Sequence, residues 1–155
     1  MGRDNKGLRL LGHPVHALLS DFPLALLGTS LIWDVIGIVR GEALWWAISF
    51  WDMALGVAAG VAAATAGAVD YSAIGPDDRA LSTATRHMLV MGTALSLYSV
   101  ALLVRGGPSP PTNLARTATL ILEAVGLIAL GVGGWYGGHL VFHHGVGRDT
   151  DRRQE

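Results

Sequence analysis

Cysteine is absent from this 155-residue chain. That excludes disulfides, thiolate metal sites, cysteine-held iron–sulfur clusters and a cysteine nucleophile. Charge is scarce as well. Charged residues make up 15% of the chain, against about 25% in an average soluble domain. The net charge is −1 with histidines neutral, so there is no basic excess of the kind that marks a nucleic-acid partner. No phosphate-binding loop or dinucleotide fingerprint follows a strand-like segment. Gly131, Gly133 and Gly134 fall inside an apolar run and do not make one. A cleavable signal peptide is not expected, because a polar start precedes an apolar stretch too long for a signal core and without a cleavage motif.

What the chain does have is apolar length. It is 51% hydrophobic with a mean hydropathy of +0.44. A hydrocarbon core of about 30 Å needs roughly 20 helical residues. Four runs reach that length, at about Pro14 to Val39, Leu44 to Val69, Ala84 to Val104 and Ala115 to Phe142. Arg40-Gly41-Glu42, the segment Asp70 to Ser82 and the Gly/Pro-rich segment Arg105 to Asn113 separate them. Continuous rather than alternating apolarity specifies helices, and short separators make neighbouring spans antiparallel. The expected fold is all-α, a four-helix transmembrane bundle in one domain over residues 14–142. Residues 1–13 form an N-terminal segment and residues 143–155 a charged tail.

Lys and Arg orient the bundle. Arg3, Lys6, Arg9, Arg79, Arg86, Arg148, Arg152 and Arg153 gather on one side, against Arg40, Arg105 and Arg116 on the other. The positive-inside rule then puts both termini of this multi-pass chain in the cytoplasm. Trp33, Trp45, Trp46 and Trp51 mark the opposite interface. Gly56/Gly60, Gly133/Gly137 and Gly134/Gly138 have the small-xxx-small spacing of close helix packing, and a Gly-rich face would also admit a flat cofactor. No strong internal repeat is visible.

That topology gathers six histidines at the cytoplasmic boundary. His13 and His16 open span one, His87 lies one turn into span three, and His139, His143 and His144 close span four. His13 and His16, like His139 and His143, have spacings that share a helix face. Imidazole is the commonest metal ligand and a usual axial ligand of haem. The plainer alternative is that interfacial histidines face water or headgroups. His16, His87 and His139 are the better inward candidates, since each sits inside its apolar run. Asp70 and Tyr71 share their layer, and Asp70 could orient an imidazole. Asp21, Asp34, Asp52 and Glu123 also interrupt apolar runs. Asp34, Asp52 and Glu123, all in the outer half, read either as interfacial or interhelical hydrogen-bonding groups or as a proton or cation path.

Several of these pieces resemble a bacterial membrane-protein family, domain of unknown function 2231. They are Gly12-His13-Pro14-Val15-His16 with Asp21-Phe22-Pro23, Ala66-Gly67-Ala68-Val69-Asp70-Tyr71, Arg86-His87, Gly134-Trp135-Tyr136-Gly137-Gly138-His139-Leu140-Val141-Phe142 and His144-Gly145-Val146-Gly147. Ala17 and Ser20 stand where family members often repeat His or Pro. Some relatives are fused to Rieske-type iron–sulfur domains, so the resemblance implies electron transfer and makes a b-type haem attractive. An iron–sulfur partner here would be a separate protein.

Three functions follow as expectations. One is a haem-binding electron carrier with axial ligands among His16, His87, His139 and His13, supported by Asp70 and Tyr71. Another is a non-haem site for zinc, iron or copper, a divalent transition metal held by His13, His16, His87, His139 and Asp70. The third is an accessory or assembly subunit whose small-residue faces dock partners, a second copy of the chain included. A redox carrier or binding protein fits better than a stand-alone enzyme.

Overall fold

The computed structural model describes residues 7–76 and 78–147. Four helices carry the fold: α1 Val15–Arg40, α2 Ala43–Ser72, α3 Leu81–Arg105 and α4 Asn113–Phe142. With 25 to 30 residues each, they run roughly 37–45 Å at about 1.5 Å per residue. That exceeds the hydrocarbon thickness of about 30 Å. Their most apolar windows have mean hydropathies of 1.6 to 1.9, and no more than 28% of any such window is buried inside the protein. Most of the apolar surface therefore points outward. Helices apolar all round need lipid around them, so the chain is a four-helix transmembrane bundle.

The ends differ from the sequence reading in instructive ways. Pro14 is the residue before α1 rather than its first. Arg9–Leu10 and His13–Pro14 form a small antiparallel hairpin, β1 and β2. Its two turn residues, Leu11 and Gly12, both have positive φ, as a tight primed turn requires. Val15 then donates its N–H to the Leu8 carbonyl at 2.9 Å. Asp70 and Tyr71 belong to α2 rather than to a loop. Arg105, expected in a loop, is the last residue of α3. Arg3, Lys6, Arg148, Arg152 and Arg153 lie outside the described residues.

Helices α1 and α3 stop the same way. Gly41 and Gly106 adopt left-handed φ of 69° and 77°, and their N–H groups cap the Gly37 and Leu102 carbonyls. A residue with a Cβ would be strained there. An even number of spans returns the chain to the end of the bundle where it entered.

Packing is tightest within two hairpins, α1 with α2 and α3 with α4, and looser between them. These hairpins repeat. Residues 43–72 of α2 recur in register as residues 113–142 of α4. Buried Ser49, Met53, Gly56 and Gly60 correspond to buried Thr119, Glu123, Gly126 and Leu130. Buried Pro23, Leu27, Ser30 and Asp34 of α1 correspond, again at one constant offset, to buried Ala94, Tyr98, Ala101 and Arg105 of α3. The repeat is thus chiefly one of burial phase, with identity kept at a few positions such as Gly56 and Gly126. Lipid-facing positions need only be apolar, so identity drifts there. Matching contacts follow: Leu27 lies over Gly56 as Tyr98 lies over Gly126. Leu27, Met53, Ala94, Tyr98, Ala101 and Leu130 form the central core.

Candidate functional site

His16 and His87 occupy equivalent positions in the two hairpins. Each imidazole crosses to the even-numbered helix of its own hairpin. His16 Nδ1 lies 2.8 Å from the Ala63 carbonyl, and His87 Nδ1 lies 2.8 Å from the Gly133 carbonyl. Ala63 and Gly133 are themselves equivalent. A carbonyl only accepts, so both Nδ1 atoms carry the proton and donate it. In the neutral ring each Nε2 then keeps its lone pair, the state in which imidazole binds a metal. The rings then meet across the seam between hairpins, with centroids 6.1 Å apart and planes at 83°.

Small residues create the room. A Cβ on Gly67 would stand 2.9 Å from His16 Cε1 and Nδ1, and one on Gly137 would stand 3.1 Å from His87 Cε1. The Gly133/Gly137 pair therefore faces inward onto α3. The interleaved Gly134 and Gly138 meet nothing within 4 Å, so they face outward. Two overlapping sequence motifs thus do different things.

The other histidines lie elsewhere. His13 is exposed on β2. His139 stacks between Trp135, at 5.6 Å, and His143, at 4.5 Å, on the outer surface of α4. His144 sits edge-on to both histidines and contacts Thr83 Oγ1 at 3.2 Å. Asp70 accepts the Leu8 N–H at 2.8 Å and so ties the N-terminal hairpin to α2. Tyr71 shares a hydrogen bond with Thr85 at 2.9 Å. Among the described residues, no three His, Asp or Glu side chains form a metal-holding group. His13, His16, His87, His139 and Asp70 are therefore not one cluster.

The far end of the bundle holds a polar centre that includes a residue missed in the sequence. Arg105 Nη1 donates to Asp34 Oδ1 and Oδ2 at 2.6 and 2.7 Å and to Ser49 Oγ at 3.0 Å. Its Nη2 donates to the Trp46 carbonyl, and the guanidinium lies 5.6 Å over the Trp46 ring. Asp34 and Arg105 are only 1% and 5% exposed. The signal that could have found Arg105 is its register: it occupies in α3 the place of Asp34 in α1. Asp52 instead accepts from Trp33 Nε1 and Thr29 Oγ1 at 2.8 and 3.0 Å. Of the aromatic belt, Trp33 stacks on Trp45 at 5.7 Å and Trp51 is exposed, whereas Trp46 turns inward.

Architecture and hydropathy define a polytopic helical membrane protein. A family model described as a predicted membrane protein, domain of unknown function 2231, matches residues 12–150. The chain belongs to that family. Neither a curated protein nor a solved structure matches it.

Proposed function

We propose that this bundle is a membrane redox carrier in which His16 and His87 are the axial ligands of a b-type haem. The reading also places the end that holds both termini on the cytoplasmic side of a bacterial inner membrane, with a separate, iron–sulfur-type protein as electron partner. The opposed imidazole pair carries it. Of six histidines, only these two are equivalent in the repeat and face one another. With ring centroids 6.1 Å apart, the two side chains are near enough that they would hold one metal centre from two helices.

The donor set fits haem better than a bare ion. A structural or catalytic ion such as zinc draws three or four ligands from protein, and two histidines supply only half of that. Haem brings four nitrogens of its own and asks the protein for axial ligands alone. When bound, its iron supplies one-electron chemistry. The chain's own groups do the rest. The Ala63 and Gly133 carbonyls fix the imidazole tautomers and raise the basicity of Nε2. Gly67 and Gly137 let the rings lie against their helices. Partial burial of both rings among apolar helices limits access of water and so would tune the potential.

Absorption spectroscopy tests this on protein purified from haem-replete cells. The wild type is expected to show a Soret band and a six-coordinate reduced spectrum. His16→Ala and His87→Ala should each abolish the six-coordinate form while circular dichroism stays helical. His139→Ala should retain the spectrum. A colourless wild type that takes up no added haem would overturn the reading, as would an intact spectrum in both variants. A finer prediction concerns the supporting contacts. Gly67→Ala forces the His16 ring off the Ala63 carbonyl, and loss of such an outer contact weakens ligand affinity by about 10–100-fold. Haem titration of the apo form measures it.

A further inference from the structure

Glu123 is fully buried, and its carboxyl adjoins that of Asp34. Two buried carboxyls and the Arg105 guanidinium thus share the far end of the bundle. Asp34 already takes the guanidinium through both oxygens. If Glu123 were ionised, a net negative charge would lie uncompensated in a site walled by apolar helices. Such a charge is far more costly than a neutral acid.

Hydrogen bonding points the same way. Ser30 Oγ has two acceptors in reach, the Leu27 carbonyl at 2.9 Å and Glu123 Oε1 at 2.8 Å. A hydroxyl has one proton to give. A second proton, on Glu123, lets Ser30 serve Leu27 while the acid donates to Ser30 or Asp34. Tyr98 Oη, Thr119 Oγ1 and Arg105 Nε are buried and make no hydrogen bond to protein, and no donor reaches the buried Glu123 Oε2. Thr119 lies one turn from Glu123 on α4. Tyr98 and Arg105 approach Glu123 from α3. From α1 come Ser30 and Asp34, and from α2 come Ser49 and the Trp46 carbonyl, both held by Arg105. Asp52 of α2 is engaged with Trp33 and Thr29.

We infer that Glu123 is a proton-binding site: a neutral carboxylic acid that holds one proton between Ser30 and Asp34, beside the unpaired polar atoms of Tyr98, Thr119 and Arg105. The site stands apart from the histidine pair. Glu123 and Gly133, whose carbonyl anchors His87, are ten residues apart on α4, roughly 15 Å along the helix. The inference therefore holds whether or not His16 and His87 carry haem.

Infrared spectroscopy of the full chain in lipid nanodiscs at neutral pH tests it. The chain has three glutamates, Glu42, Glu123 and Glu155, so carboxyl-13C glutamate labels few groups. The wild type is expected to show a protonated-acid carbonyl band that shifts with the label and in heavy water. Glu123→Gln, an isostere of the neutral acid, should remove that band. Absence of a label-sensitive acid band would overturn the inference. Its survival in Glu123→Gln would do the same. If the variant fails to fold, the label shift in the wild type alone decides, because Glu42 is exposed and pairs with Arg40 at 3.0 Å.

Discussion

Replacing Arg105 by leucine is expected to lower the stability of the folded bundle by about 3–5 kcal/mol, the usual cost of removing one partner from a buried ion pair. The loss does not equal the strength of the Asp34–Arg105 contact. It is chiefly the cost of leaving the Asp34 carboxylate, 1% exposed, without a counter-charge in a dry interior. Ser49 Oγ and the Trp46 carbonyl lose their donor at the same time. Thermal unfolding in a mild detergent reads the loss. The double variant Asp34→Asn with Arg105→Leu should recover much of it, because the orphaned charge is gone. A double variant no better than Arg105→Leu alone would show that shape, not charge, governs this site.

The second large effect is steric. Gly126 packs against the Tyr98 ring, and a Cβ there would stand 2.7, 3.0 and 3.4 Å from Cε2, Cδ2 and Cζ. An aromatic ring in a filled core has no rotamer to retreat into. Gly126→Val should therefore reach the upper part of the range of about 1–3 kcal/mol for overpacking, opening α3 from α4. Gly134→Val, on the same helix, is the matched control. A Cβ there meets nothing within 4 Å, and its melting temperature should stay at the wild-type value. Equal loss in both variants would mean that valine harms the helix itself, and the packing explanation would fail.

The difference between those two glycines shows what the sequence could reveal. Both belong to a run with the same small-residue character, and nothing in the letters separates inward from outward faces. Apolar length, by contrast, is written residue by residue, because a span must satisfy its own backbone and be apolar along its whole length. The four helices were therefore legible, with ends in error by a few residues. Arg105 was not. A lone Arg at the end of an apolar run before Gly-Gly-Pro looks like a loop charge, and only its alignment with Asp34 across the repeat explains its place.

The histidines teach a similar lesson. His139 and His143 have the spacing of neighbours on one face, and neighbours they are, stacked at 4.5 Å. That face looks outward. His16 and His87 have no local signature in common beyond Gly67 and Gly137 waiting on the helices they touch. Periodicity says which residues share a side. It does not say which side the rest of the chain covers.

The two hairpins also carry a lesson about symmetry. In a dimer of identical hairpins, every residue on the axis would face its own copy. Histidine against histidine satisfies that rule, and so would leucine against leucine. Aspartate against arginine does not: a true dimer would set two acids or two bases face to face. Joining both hairpins in a single polypeptide allows the halves to diverge where they touch. It lets one end of the axis keep its like pair, His16 and His87, while the other end becomes a matched pair of opposites.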